Sequence, residues 1–164
     1  MIQKKICMLG SFAVGKTSLV RRFVEGFFSD TYLTTVGVKI DKKVVQVNGA
    51  EITLVLWDLY GDDDFQKIRW SHFHGAAGYL LVADGTRRGT LEKAEFLEER
   101  ARKEIGPVPF IFLINKNDLA DEWEIDSENE TQLVAKNWSV LRTSAKTGEH
   151  VDEAFVQLAR KILG

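Results

Sequence analysis

The run Gly10-Ser11-Phe12-Ala13-Val14-Gly15-Lys16-Thr17 matches the pattern G-x-x-x-x-G-K-[ST]. Glycines at its two ends let backbone N–H groups turn inward around phosphate oxygens. A helix opening at its end adds a positive terminus. In such a loop Lys16 reaches the β- and γ-phosphates of a nucleoside triphosphate, and the Thr17 hydroxyl ligates Mg²⁺. The pattern does not choose a base. Polar side chains with chemistry to offer recur in three further places: Trp57-Asp58 with Gly61, Asn115-Lys116-Asn117-Asp118, and Thr143-Ser144-Ala145-Lys146.

Strand-like and helix-like stretches alternate around these runs. Ile6 to Leu9 reads as a short buried strand ending at Gly10, and Thr17 to Phe27 as a helix with Leu19, Val20, Phe23 and Val24 at helical spacing. Val44 to Val47 and Ile52 to Trp57 flank Asn48-Gly49, a hairpin signal because both turn residues need φ > 0. Strands are predicted at Gly78–Ala83, Phe110–Ile114 and Trp138–Leu141, and helices at Thr90–Ile105, Glu130–Asn137 and Val151–Leu163. The alternation predicts an α/β domain whose sheet of six strands is mostly parallel, with the hairpin making one antiparallel edge strand. Ligands of such sheets bind beyond the carboxyl ends of the strands. The runs singled out above follow predicted strands.

The composition bounds the rest. A chain of 164 residues reads as a single domain, 1–164, long enough for a full core. Its 45% hydrophobic and 28% charged residues exclude a disordered chain, a collagen and a disulfide scaffold. A net charge of −2 argues against nucleic acid as a partner. One cysteine, Cys7, forms no internal disulfide and points to a reducing, cytoplasmic setting, where it serves as a small core residue. The expected absence of a membrane anchor follows from three observations: no apolar run reaches ~18 residues, no apolar signal stretch follows Met1, and there is no C-terminal Cys. Asp62-Asp63-Asp64 and Asp121 to Glu130 read as solvated loops. His72 and His74 lack a third partner at ligand spacing, so they read as ordinary helix histidines. The four tryptophans read as packing residues, with Trp70 and Tyr60 also candidates for a partner face.

An N-K-x-D loop followed by an S-A-K loop, both downstream of the phosphate loop and joined by Trp57-Asp58 and Gly61, resembles the Ras superfamily of small GTPases. The resemblance is greatest to the Rab-like branch, with a bacterial-type subgroup compatible with the missing lipidation tail, and it covers essentially the whole chain. It implies a P-loop NTPase G domain with helices on both faces of the sheet. It also implies GTP or GDP with Mg²⁺ as ligands, held at the phosphates by Ala13, Val14, Gly15, Lys16, Thr17 and Ser18. The Asp118 carboxylate then accepts from the guanine N1–H and 2-amino group, a donor pair that adenine lacks. Asn115 holds the loop and approaches the base edge, Lys116 lies along the ring, and the Ala145 N–H meets guanine O6 between Ser144 and Lys146. Phe28 stands where the family places an aromatic ring against the base. Thr35, with Thr34 as a competitor, and Asp58 complete the Mg²⁺ set with Thr17, and the Gly61 N–H bonds the γ-phosphate. The implied protein is a monomeric switch that recruits an effector through residues 28–40 and 59–74, with a GTPase-activating protein and an exchange factor as further partners.

Two departures bear on catalysis, for which the resemblance names Lys16, Thr35, Gly61 and Asp62. The family's W-D-T-A-G-Q-E run is here Trp57-Asp58-Leu59-Tyr60-Gly61-Asp62-Asp63, so Asp62 replaces the Gln that orients the attacking water. An ionised Asp has no donor, is one methylene shorter, and brings negative charge toward phosphate. Phe12 also fills a loop position where the family has a small residue, which would obstruct an arginine supplied in trans. Slow hydrolysis is expected. The alternative is a pseudo-GTPase that holds guanine nucleotide with little or no hydrolysis. Arg69, Arg87 and Arg88 read as surface charge.

Overall fold

The computed structural model describes residues 2–26, 38–59 and 70–164. Among these, six strands form one sheet in the order β2-β3-β1-β4-β5-β6. They are β1 (Ile2–Gly10), β2 (Val38–Val47), β3 (Ala50–Leu59), β4 (Gly78–Asp84), β5 (Phe110–Asn115) and β6 (Val140–Arg142). Only β2 and β3 pair antiparallel. They meet across Asn48 and Gly49, whose φ values of 51° and 79° are the pair of positive angles that the turn requires. The helices are α1 (Lys16–Glu25), α2 (Gly89–Ile105), α3 (Ser127–Ala135) and α4 (Val151–Leu163).

Alternation along the central strands divides the core between the two faces. Every residue of β4 is buried. Leu80 and Val82 join Ile6, Met8, Leu54 and Leu56 under Leu19 and Phe23 of α1 and Phe155 and Leu158 of α4. Tyr79, Leu81 and Ala83 join Cys7, Leu9 and Phe112 under Leu91, Leu97 and Ala101 of α2 and Leu133 of α3. Each such fully buried large side chain contributes about 1.5–3 kcal/mol. Phe23 and Phe155 stack at 4.0 Å between centroids, tying α1 to α4. The four tryptophans pack against the second core half-buried, and Trp70 leans on Phe73 at 4.9 Å. No described helix is long and apolar enough to cross a membrane.

Several boundaries differ from those predicted. β1 begins four residues earlier, at Ile2, because Ile2 to Lys5 pair with Ile52 to Val55 although partly exposed. β2 begins at Val38, and its exposed polar positions hide it from an apolar-run reading, as expected of an edge strand. α3 starts at Ser127 instead of Glu130. Asp126 caps it by accepting from the Asn129 N–H at 2.9 Å, while the Asn129 side chain accepts from the Asp126 N–H at 3.0 Å. The stretch 121–130 is therefore not a loop throughout, since it includes the end of a kinked 3₁₀ segment, Asn117–Glu122, and the first turn of α3.

Candidate nucleotide site

The sheet has β3 on one side of β1 and β4 on the other, so the loop after β1 lies where the strand order reverses, the usual ligand crevice of open α/β sheets. That loop runs from Gly10 into α1. Ala13 and Gly15 have φ of 60° and 104°, left-handed angles that turn successive N–H groups into a concavity suited to an anion. Gly15 is required twice over. Its φ disfavours a side chain, and a Cβ would collide with the Asn115 amide nitrogen. α1 has no side-chain cap and no acidic residue in its first turn, which leaves its positive end available to an anion.

Lys16 is 6% exposed, and its ammonium donates to the Gly10 and Ser11 carbonyls at 2.9 and 3.3 Å. Burial pushes its pKa down to about 8, opposed by the negative charge of Asp58. The Thr17 hydroxyl donates to Asp58 Oδ2 at 2.6 Å. Asp58 reaches the site because Met8 of β1 is its register partner near the ends of both strands. Burial raises the Asp58 pKa against the Thr17 hydrogen bond and the charges of Lys16 and Lys39. Asp58 Oδ1 is buried with no hydrogen-bond partner among the described residues. An orphaned carboxylate oxygen beside a threonine hydroxyl fits a hard divalent cation, so the donor set suits Mg²⁺. No cluster of three or more His, Cys, Asp or Glu side chains among the described residues offers another metal centre.

The second half of the site gathers the loops after β5 and β6. Asn115, 2% exposed, joins three loops with one amide. Its Nδ2 donates to the Val14 carbonyl at 2.9 Å, and its Oδ1 accepts from the Thr143 hydroxyl at 3.1 Å and the Ala145 N–H at 3.3 Å. The Ser144 hydroxyl donates to Asp118 Oδ1 at 2.7 Å. Exposed Asp118 thus stands oriented at the mouth of the site. Lys116, at φ 74°, pairs its ammonium with Asp84 Oδ2 at 2.7 Å.

Several residues of this framework carry no signal in the sequence. Arg22 of α1 donates through Nε to the Ala145 carbonyl at 2.9 Å and through Nη2 to that of Lys146. The Trp123 indole N–H holds the Lys116 carbonyl at 2.9 Å, and its ring lies where a Cβ on Gly85 would be. Arg87, read from sequence as surface charge, donates to Asp84 and to the Phe12 carbonyl, both at 2.9 Å. Phe28, Thr34, Thr35, Tyr60, Gly61, Asp62, Asp63, Asp64 and Arg69 lie outside the described residues.

The model of the Ras family matches residues 5–164. Over 161 residues the chain is 36% identical to the Ras-related protein Rab-4A of Bos taurus and to that of Homo sapiens, covering 97% of this chain and 74% of each relative. Identity to Rab-4A of Rattus norvegicus is 35% over the same span. With the strand order and the loop motifs already described, these matches make the chain a member of the Ras superfamily, a Rab-like small GTPase that binds GTP as a switch and hydrolyses it.

Proposed function

We propose that residues 1–164 act as one cytoplasmic G domain that holds guanine nucleotide with Mg²⁺ in this cradle and hydrolyses GTP slowly. The observation that carries the binding half is the Lys16–Thr17–Asp58 cluster with its unpartnered Asp58 Oδ1. Thr17 and Asp58, with Thr35 from the first switch segment, would hold the ion, which when bound screens the negative charge shared by the phosphates. Lys16 places a buried positive charge against the phosphates as charge shifts toward the leaving oxygen. Asp118 and the Ala145 N–H select guanine, and Phe28 covers the base. Where the bound base covers such hydrogen bonds, a base lacking them is rejected by up to a factor on the order of 10⁴–10⁵. Gly61 bonds the γ-phosphate, and with Thr35 it makes residues 28–40 and 59–74 sense that phosphate and recruit an effector in the triphosphate state.

Slow turnover follows from Asp62, which lacks the amide donor of Gln. Single-turnover hydrolysis of GTP with Mg²⁺, alongside Asp62→Gln, tests this. The variant should be the faster of the two, and equal rates without any partner would overturn the reading. Asp62 and Phe12 also favour a second reading, a guanine-nucleotide-held binding module. Its signature is GTP bound and left intact over many hours.

A further inference from the structure

Three contacts run in series from the loop that carries Lys116 to the phosphate loop. The Lys116 ammonium lies 2.7 Å from Asp84 Oδ2. Arg87 Nε donates to the same oxygen at 2.9 Å, and Arg87 Nη2 donates to the Phe12 carbonyl at 2.9 Å. The other carboxylate oxygen is held by the Thr86 N–H and hydroxyl at 2.9 and 2.7 Å. Asp84 ends β4 as the register partner of Asn115, which places its carboxylate between the two loops. It is 1% exposed. Burial alone would raise its pKa, but hydrogen bonds from Lys116, Thr86 and Arg87 outweigh burial and hold it below the usual carboxylate value. The carboxylate is therefore ionised and fully engaged at neutral pH.

We infer that Arg87 is a positioning residue that couples the base-side loop to the phosphate loop through the chain Lys116–Asp84–Arg87–Phe12. The guanidinium suits this role because its rigid fork addresses two acceptors at once, a carboxylate and a carbonyl. A lysine ammonium, a point charge on a flexible stem, would serve one or the other. Holding the Phe12 carbonyl fixes the peptide leading into Ala13, the first left-handed residue of the phosphate concavity. Base contacts that settle Lys116 thereby also settle the loop that grips the phosphates. Arg87 touches neither base nor phosphate in this arrangement; it acts through the loops.

The coupling rests on the nucleotide occupying this cradle, so GDP binding by the unsubstituted chain is measured first. No binding would overturn the nucleotide reading and the coupling with it. The test proper is release of a fluorescent GDP analogue from the full chain into excess GDP at saturating Mg²⁺. Arg87→Ala should release it about ten-fold faster, as expected for losing two charge-assisted hydrogen bonds of an exposed side chain. Arg87→Lys should stay near the alanine rate, and rescue by lysine would overturn the bridge in favour of simple positive charge. Combining Arg87→Ala with Lys116→Ala should accelerate release by less than the product of the single effects. Effects that multiply would reduce Arg87 to a local tether and refute the coupling. Should Arg87→Ala melt appreciably below the parent without nucleotide, Arg87→Gln, which keeps a donor for one acceptor, takes its place in the same cycle.

Discussion

Raising the pH from 7 to 8.5 should weaken Mg²⁺-dependent GDP binding about four-fold through loss of the Lys16 charge. The fold buries this ammonium to 6% exposure, and burial brings its pKa down to about 8. Bound phosphate favours the charged form, so the pKa in the complex lies higher and binding takes up a proton once the pH passes the free-state value. At pH 8.5 about a quarter of the protein would keep the Lys16 charge, against about nine-tenths at pH 7, and the ratio of those charged fractions sets the expected loss. Cys7 does not interfere, since burial pushes its thiol up to about 12. Titration calorimetry in buffers of different ionisation enthalpy reads both the affinity and the proton uptake. Folding runs the other way. The unfolded chain holds the Lys16 proton up to the ordinary lysine value of 10.5 while the folded chain loses it near 8, so the unfolded state binds more protons between these limits. Stability of the nucleotide-free protein therefore gains a rising contribution with pH across that window. Lys16→Arg, charged throughout, should abolish both trends whatever its own affinity. An unsubstituted chain with flat affinity from pH 7 to 8.5 and no proton uptake would refute the assignment of Lys16 as the buried charge that meets phosphate.

Other substitutions probe the remaining parts of the site and the core. Asp118→Asn should shift preference from guanine toward xanthine nucleotides, whose 2-carbonyl pairs with an amide donor; unchanged preference in a competition assay would remove Asp118 as the base reader. Asn115→Asp replaces the donor that holds the Val14 carbonyl with a second acceptor in a buried position. It should cost about 1–3 kcal/mol and weaken nucleotide binding about ten-fold or more, read by melting temperature and dissociation constant. Phe155→Ala removes the ring stacked on Phe23 and should destabilise the fold by about 3–5 kcal/mol in urea titration, with loss well under 1 kcal/mol counting against this contact as the tie between α1 and α4.

The phosphate loop is legible in the sequence because its chemistry is local: eight consecutive residues and the helix they open. Asp58, Asp118 and Ser144 become legible only as members of a motif series, since nothing in a short window marks them. Asp84, Arg22 and Trp123 carry no such mark. Arg22 meets residue 145 and Asn115 meets residue 14, and strand order and register, not spacing along the chain, make those meetings. Arg87 shows the same limit from another side. Charged and outside any motif, it reads as surface and is indeed exposed, but the end of β4 also directs it onto the phosphate loop. The start of α3 is hidden because its cap is Asp126 with Asn129, a reciprocal pair outside the usual Ser/Thr with Glu/Gln pattern.

The two halves of the site are held together in different ways. On the base side, Asn115 already joins three loops, Ser144 already orients Asp118, and Arg22 already holds the carbonyls of Ala145 and Lys146. These hydrogen bonds, with the one from the Ala145 N–H to Asn115 Oδ1, hold the described base-side loops in place, and preorganisation of this kind raises affinity by reducing the entropy lost on association. On the phosphate side, the groups meant for the ligand are occupied by one another. Lys16 donates to two loop carbonyls and Thr17 donates to Asp58. An ammonium has three donors and Asp58 Oδ1 has no partner among the described residues, so phosphate and cation have groups to meet before any internal bond is exchanged. Guanine recognition thus supplies a steady share of affinity. The phosphate side holds the buried ionisable groups, Lys16 and Asp58. There, one phosphate more or less, or one unit of pH, can shift the balance between states.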